Sequence, residues 1–384
     1  MVINMDCRKE NKLSTAGGGA PTMYTINMIS SAYKVKGQGV ASCYDEQVLL
    51  IKEGLADKFS VRENRNGERF RAADINHYHT IDPAFFIGNQ WRPACTVSVC
   101  YVHFLPETVD ESLALPRPAR AGFYWYMRRF YRSMDYLVAV NPVFAKKLAE
   151  LCCLDPARIR YIPNYVSDGL FRPAAAGEQA LLKAALGLPP DRFTVLGVGQ
   201  LQARKGVADF LAVARALPDV TFVWAGGFSF GQLSSGYDEI RRMAKKPPKN
   251  VKFLGIVPRE RMSDVYNACD MLFLPSYSEL FPMTILEAMC CKKPLLLRDL
   301  DLYPPILFDC YMKADGNAEF ARAIRRLAND GEARREWGAR SWEGHRHYTR
   351  ESVLSRWEDF YTQILEARER PVKSRRAVSA GSQL

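Results

Sequence analysis

Two glutamates, Glu279 and Glu287, stand eight residues apart in the stretch SELFPMTILEAM. A second segment, GVGQLQARKG at 197–206, puts Gly199 at the end of an apolar run and then delivers Arg204 and Lys205 side by side. Adjacent cations suit a diphosphate, because arginine binds bidentately and lysine acts as a point charge. The run PMTILEAM reads as a helix start, with Pro282 in the first turn, where no donor is lost. The unpaired amides of about Met283, Thr284 and Ile285, at the positive end of the helix dipole, then form an anion site. Glu287, about one turn in, is placed to accept hydrogen bonds from a ribose diol. Glu279 falls beyond the phosphates, where the hydroxyls of a sugar would be. The plainer reading is a strand end, a solvated loop and a polar helix face, and G-x-G alone is a weak signal.

Other residues carry less. Gly37 and Gly39, in VKGQGV after the first apolar run, would let backbone approach a ligand, or simply make a turn. His77, His79 and His103 follow two runs in the first half of the chain, and a lone histidine at a strand end is often only structural. Asp299-x-Asp301 could be read as a metal-binding DxD, but a loop after a buried strand accounts for it. The segment 115–134 holds five arginines and six aromatics with no acid. On a helix, Phe123, Tyr124, Met127, Phe130, Tyr131 and Met134 share one face, with Arg128, Arg129, Arg132 and Trp125 beside it. That composition fits a helix at an anionic membrane surface over 117–134, and equally a core-packed helix with solvated arginines.

The elements that must position these groups are short apolar runs alternating with helical patterns, the signature of α/β architecture. Strands are expected over 24–30, 73–79, 94–103 and 135–141, then over 192–200, 220–227, 251–257, 271–277 and 293–299. Helices are expected near 40–56 and 318–330. The prolines at 156, 163 and 173 mark a connection between two such sets. Near the end, Val353, Trp357, Phe360, Tyr361, Ile364 and Leu365 form one stripe of a helix that must find a partner. In open α/β sheets ligands sit beyond the carboxyl ends of the strands, where the motifs fall.

A formal charge of +11 over 384 residues points to phosphate-bearing substrates or an anionic surface. Nucleic acid is not expected, because the basic residues are dispersed and no helix-turn-helix or zinc finger appears. The ten cysteines include no C-x-x-C, so reduced thiols are expected and zinc is not. With no long apolar run and no leader-like start, the chain is expected in the cytoplasm, at most peripheral on the inner face of the cell membrane.

The E-x7-E spacing of Glu279 and Glu287 within PSYSELFPMTILEAM resembles the signature of the retaining family-4 glycosyltransferases. VGQLQARKG, VKFLGIV with the following MSDVYNACDMLFLPS, and RIRYIPNYV carry the same resemblance over nearly the whole chain from residue 24. The resemblance implies a GT-B fold, two Rossmann-like βα domains facing a cleft, with the C-terminal helix crossing back to the first. The divisions are then a disordered extension 1–22, an acceptor-side domain 23–165, a linker 166–190, a nucleotide-sugar-binding domain 191–345, a return helix 346–370 and a basic tail 371–384. It implies a donor site of Gly37, Gly39, Gly199, Arg204, Lys205, Met283, Thr284, Ile285 and Glu287, with His103, Glu279 and Lys205 nearest the chemistry, and no cofactor or metal. The family often has arginine where Gln200 stands, and usually glycine where Pro282 stands; Arg204 offers compensation for the first. The implied activity is hexose transfer from a UDP-sugar with retention. GQLQARKG, FVWAGG and LRDLDLYPPIL are similar to the Gram-positive enzymes that glycosylate diacylglycerol or glucosyl-diacylglycerol, which implies a lipid acceptor. A polysaccharide or cell-wall acceptor, and a nucleotide-sugar-binding protein without turnover, are the alternatives.

Overall fold

The structure is a computed structural model and describes residues 23–34, 39–64, 73–106, 116–229, 231 and 236–369. The expected extension 1–22, the tail 371–384 and Gly37 lie outside the described residues. The first unit contains β1 (Tyr24–Ile29), α1 (Gly39–Gly54), β2 (Phe59–Asn64), β3 (Ile75–Tyr78), α2 (Pro83–Gln90) and β4 (Val97–Val102). It continues through α3 (Arg117–Arg132), β5 (Tyr136–Ala139), α4 (Pro142–Cys152) and β6 (Ile159–Tyr161). Its strands form a parallel sheet in the order β2-β1-β3-β4-β5-β6.

The second unit opens with α5 (Glu178–Ala185), β7 (Thr194–Val198), α6 (Val207–Ala216), β8 (Thr221–Ala225), α7 (Tyr237–Lys245) and β9 (Val251–Gly255). Then come α8 (Arg259–Ala268), β10 (Met271–Leu274), α9 (Met283–Cys290), β11 (Leu295–Arg298), α10 (Pro304–Leu307) and β12 (Met312–Ala314). The helices α11 (Asn317–Asn329) and α12 (Gly331–His345) complete it. Its sheet is parallel, in the order β12-β11-β10-β7-β8-β9. Helices cover both faces of such a sheet, so its strands are buried throughout rather than alternating, as in TVLGV, TFVWA and MLFL.

In each sheet the strand order reverses at one place, between β1 and β3 and between β7 and β10. Loops diverge there and leave a crevice at the carboxyl ends of the strands. The loops after β7 and β10 carry the Arg204–Lys205 and Glu279 motifs, and His79 follows β3. Besides several helices, the edge strands β2 and β12 escaped the sequence pattern, and so did two short elements. β6 and α5 lie in proline-punctuated text read as connection, and β6 completes the first sheet while α5 lies against α8.

The last helix, α13 (Arg350–Glu369), returns to the first unit. Its stripe of Val353, Trp357, Phe360, Tyr361, Ile364 and Leu365 is buried in the core shared with β1, β3 and β4. At about 1.5–3 kcal/mol per fully buried large side chain, this stripe is a principal tie between the two ends of the chain. The arrangement is the GT-B architecture: two Rossmann-like units with the final helix crossing back. Helix α3 is core-packed through Met127, Phe130 and Tyr131, with Met134 buried just beyond its end, while Arg128, Arg129, Arg132 and Trp125 face outward. Its apolar stripe is therefore a core face. Among the described residues no helix is long and apolar enough to cross a membrane.

Candidate active site

A cleft of about 640 Å³ separates the units, lined from the first by Gly39, Ser42, His103 and Asn164, and from the second by Gly199, Lys205, Arg259, Glu279, Met283 and Glu287. Its floor begins where β7 ends. Gly199 has φ +151°, and its carbonyl accepts from Trp224 Nε1 at 3.0 Å. A Cβ on Gly226 would sit 1.9 Å from the Gly199 oxygen, so glycine is required for these two chain segments to touch. The loop then turns into a short helical stretch that presents Arg204 and Lys205.

Lys205 Nζ lies 2.5 Å from Glu279 Oε1, and Arg204 Nη1 lies 3.8 Å from Glu279 Oε2 while donating to the Ser278 carbonyl at 3.2 Å. Glu279 is buried, and the Lys205 side chain is only 12% exposed. Burial drives the Lys205 pKa below its ordinary value, against the pull of Glu279. Burial alone would raise the Glu279 carboxyl, but Lys205 and Arg204 outweigh it and hold the group below its usual range. The glutamate is thus an ionised acceptor aimed into the cleft, and the expected solvated strand end is excluded.

Pro282 is the cap of α9 rather than its first residue, with extended backbone at ψ 133°. The amides of Met283 and Thr284 donate to nothing among the described residues. The Ile285 amide, expected to be free, is taken by the Pro282 carbonyl at 3.1 Å. The anion site therefore has two amides, not three. Across the cleft, a Cβ on Gly39 would come within 4.0 Å of Met283 Cγ, so the first turns of α1 and α9 face each other at close range. Two positive dipole ends converge on one point.

Glu287 is 4% exposed, not on a solvated face. Its Oε1 accepts from Arg259 Nη1 at 2.6 Å and its Oε2 from the Tyr266 hydroxyl at 2.7 Å. Arg259 Nη2 reaches Glu46 Oε1 of α1 at 2.6 Å, and Glu46 Oε2 accepts from the Ser167 amide at 3.1 Å. Burial raises the Glu46 carboxyl above its ordinary range despite the guanidinium beside it. One arginine, lying over the Phe171 ring at 5.1 Å, therefore joins both units through two buried carboxylates. Arg259, Glu46 and Tyr266 were not singled out from sequence. Arg259 follows the end of β9, and that position at a strand terminus is the signal that could have found it.

Two asparagines were also missed. Asn141 Nδ2 donates to the carbonyls of Leu280 and Leu302 at 3.3 and 3.0 Å, and Asn164 Nδ2 donates to Phe281 at 2.7 Å. Both follow strands of the first sheet, and they hold the LFP loop between the two glutamates from the opposite side.

The histidines form a column. His77 and His79 stack at 4.8 Å between centroids and 27°, His79 and His103 at 5.7 Å and 21°. Tyr361 of α13 contacts His77 Nδ1 at 2.7 Å, and the His103 end lines the cleft. Burial pushes His77 and His103 down to about 3 and His79 well below its ordinary value, so all three are neutral. His77 Nε2, His103 Nε2 and both His79 ring nitrogens have no hydrogen-bond partner among the described residues. A neutral His103 offers a hydroxyl one acceptor or one donor, according to tautomer, and no charge. Asp299 pairs with Lys313 at 3.1 Å, and both it and Asp301 are exposed and outside the cleft.

The site thus combines half-buried cations, free amides and buried carboxylates at the meeting of two switch points, which suits a ligand carrying both phosphate and hydroxyls. Comparison with known proteins gives the chain a family. Residues 178–343 match the family described as Glycosyl transferases group 1, and residues 48–169 match Glycosyltransferase Family 4. The chain is 40% identical over 336 residues to the alpha-galactosylglucosyldiacylglycerol synthase of Streptococcus pneumoniae, covering 88% of each. It is 28% identical over 234 residues to the processive diacylglycerol alpha-glucosyltransferase of Acholeplasma laidlawii, covering 60% of this chain and 69% of that one. Among solved structures, Anabaena HepE in complex with UDP and glucose superposes with a TM-score of 0.70 at 15% identity, over 89% of this chain and 100% of that one.

Proposed function

The chain belongs to the family-4 glycosyltransferases, and from that premise we propose that it moves a hexose from a UDP-sugar, with retention, to a diacylglycerol-type glycolipid at a membrane surface. The observation that carries the donor half is the Lys205–Glu279 pair, its carboxylate buried, set beside the free amides of Met283 and Thr284. As the glycosidic bond breaks, negative charge builds on the leaving diphosphate. Lys205, Arg204 and the two amides are fixed around that point before the reaction, so little reorganisation is needed when the charge appears. Glu279 accepts hydrogen bonds from the sugar hydroxyls. Glu287 takes the ribose diol on lone pairs left by Arg259 and Tyr266, since each carboxylate oxygen accepts more than one bond. Neutral His103 hydrogen-bonds a sugar or acceptor hydroxyl. Retention follows from attack on the face the leaving group departs, with the phosphate taking the acceptor proton. A UDP donor is supported by HepE, a protein of the same fold solved with UDP.

The acceptor half rests on the two relatives, both named for diacylglycerol lipids. The outward face of α3 adds Trp125, 68% exposed, among Arg128, Arg129 and Arg132, a pairing suited to an anionic headgroup layer. The test is a screen of radiolabelled UDP-glucose and UDP-galactose against diacylglycerol, glucosyl-diacylglycerol and no lipid, with Glu279→Gln as control. Sugar should enter the organic phase only with a lipid acceptor, and Glu279→Gln should lose transfer while retaining UDP binding. Label found solely in water-soluble products would remove the lipid reading. Undiminished transfer by Glu279→Gln would remove the role given to that residue.

A further inference from the structure

The chain crosses between units twice, forward through residues 162–177 and back after His345 at the end of α12. The two crossings meet. His345 Nε2 lies 3.1 Å from Asp168 Oδ1, and Cys290 Sγ, on the last residue of α9, lies 3.8 Å from the same oxygen. All three ligand-type atoms fall within 4.8 Å of one another, from positions too far apart in sequence to form a spacing motif. We infer that Asp168, Cys290 and His345 form a binding site for a thiophilic divalent cation of the zinc type, set at the hinge.

The donor separations suit a shared ion. In a tetrahedral zinc site, bonds of about 2.0–2.3 Å put neighbouring donors roughly 3.3–3.6 Å apart, close to the two separations here. His345 is 3% exposed, and its Nε2 is enclosed without a hydrogen bond, although a carboxylate oxygen stands near it. An imidazole nitrogen that faces a carboxylate without an aligned N–H is posed as a ligand. Stacking on Trp342, at 5.4 Å and 24°, fixes that ring. Entry is open from one side: Asp168 is 56% exposed and borders a pocket of about 180 Å³. On binding, the thiol proton leaves to solvent and the cation bonds Sγ, Nε2 and Oδ1, with water in the fourth position. A cation so held would tie both crossings to the end of the helix that carries Glu287, one turn away.

The test uses the full chain, stripped with a chelator and reconstituted with Co²⁺ as a spectroscopic probe, then with Zn²⁺ in equilibrium dialysis. One equivalent should bind with a thiolate-to-cobalt absorption band. Cys290→Ser should abolish the band, and His345→Gln and Asp168→Asn should each weaken Zn²⁺ binding at least tenfold. Asp168 is half exposed, so Asp168→Asn keeps the fold and settles the matter if either buried variant fails to fold. A wild-type chain without the thiolate band, or an Asp168→Asn chain that binds as tightly as wild type, overturns the site. Neither readout depends on sugar transfer.

Discussion

The two walls of the cleft solve the problem of buried polarity in opposite ways. The wall from the second unit is charged: Lys205 and Arg204 meet Glu279, and Arg259 meets Glu287. Taking such charges out of water costs several kcal/mol per ion, and the cost is tolerable only because each has a partner at hydrogen-bond distance. The first unit lines the cleft with Asp45 as well, but its main feature is a neutral column of three imidazoles that reaches the cleft at His103, with four ring nitrogens without partners among the described residues. The column is held by packing, against Tyr101 on one side and Trp357 and Tyr361 on another. In the proposed reaction the charged wall faces the leaving group that gains charge, and the His103 end of the column faces the hydroxyls.

The sharpest way to break this contrast is Arg259→Ala. It leaves Glu46 and Glu287 buried and unpaired across the interface, and should cost about 3–5 kcal/mol of stability by chemical denaturation. A loss below about 1 kcal/mol, the range of an exposed pair, would mean the bridge is solvated. Next, Lys205→Ala removes a preformed positive charge from the leaving-group site. Steady-state kinetics should show transfer reduced by about 10²–10³-fold, the usual effect of losing one such group. If only the donor KM rises, Lys205 binds the ground state and the transition state alike.

The neutral wall predicts acid lability. A histidine whose folded pKa lies near 3 against about 6.5 when unfolded favours the unfolded chain once pH falls below 6.5, and the loss grows until the folded value is reached. Melting temperatures taken from pH 7 to pH 5 should fall with a slope worth roughly 1.4 kcal/mol per pH unit for each such histidine. Replacing His79 by Phe should flatten that slope; an unchanged slope would show that the column is not what titrates. The smallest effect belongs to the outer surface. Arg128→Glu and Arg129→Glu should each weaken sedimentation with anionic vesicles by about 1 kcal/mol or more, with no change in binding to neutral vesicles.

How far each wall could be read in advance follows from the same contrast. Glu279, Glu287, Arg204 and Lys205 sit in two short segments, so a local pattern carries them. The column draws on two strands and closes on Tyr361 from the far end of the chain, and no local spacing announces it. His103 was singled out, but the stack with His77 and His79 that keeps it neutral was not. Arg259 was missed because its partners lie 28 and 213 residues away. The free Ile285 amide was misjudged because Pro282 caps the helix rather than starting it, which returns one donor to the chain. For the fold, buried parallel strands announce themselves as apolar runs. The three-residue strands β6 and β12 are too short to stand out from their surroundings, and β2, FSVREN, is a largely exposed edge strand with no apolar run.

The return of α13 has a consequence for biosynthesis. Strands β1 to β6 are translated before the second unit, yet Trp357, Phe360, Tyr361, Ile364 and Leu365, which complete the core behind them, leave the ribosome only after that unit. The earliest-made unit must therefore wait, with an unfilled apolar surface, while some two hundred further residues are synthesised. At about 5–20 residues per second that wait lasts on the order of ten seconds or more, during which the second unit is free to fold. The order of completion thus runs against the order of synthesis, and a nascent chain stalled before α13 would display an intact charged wall facing an unfinished neutral one.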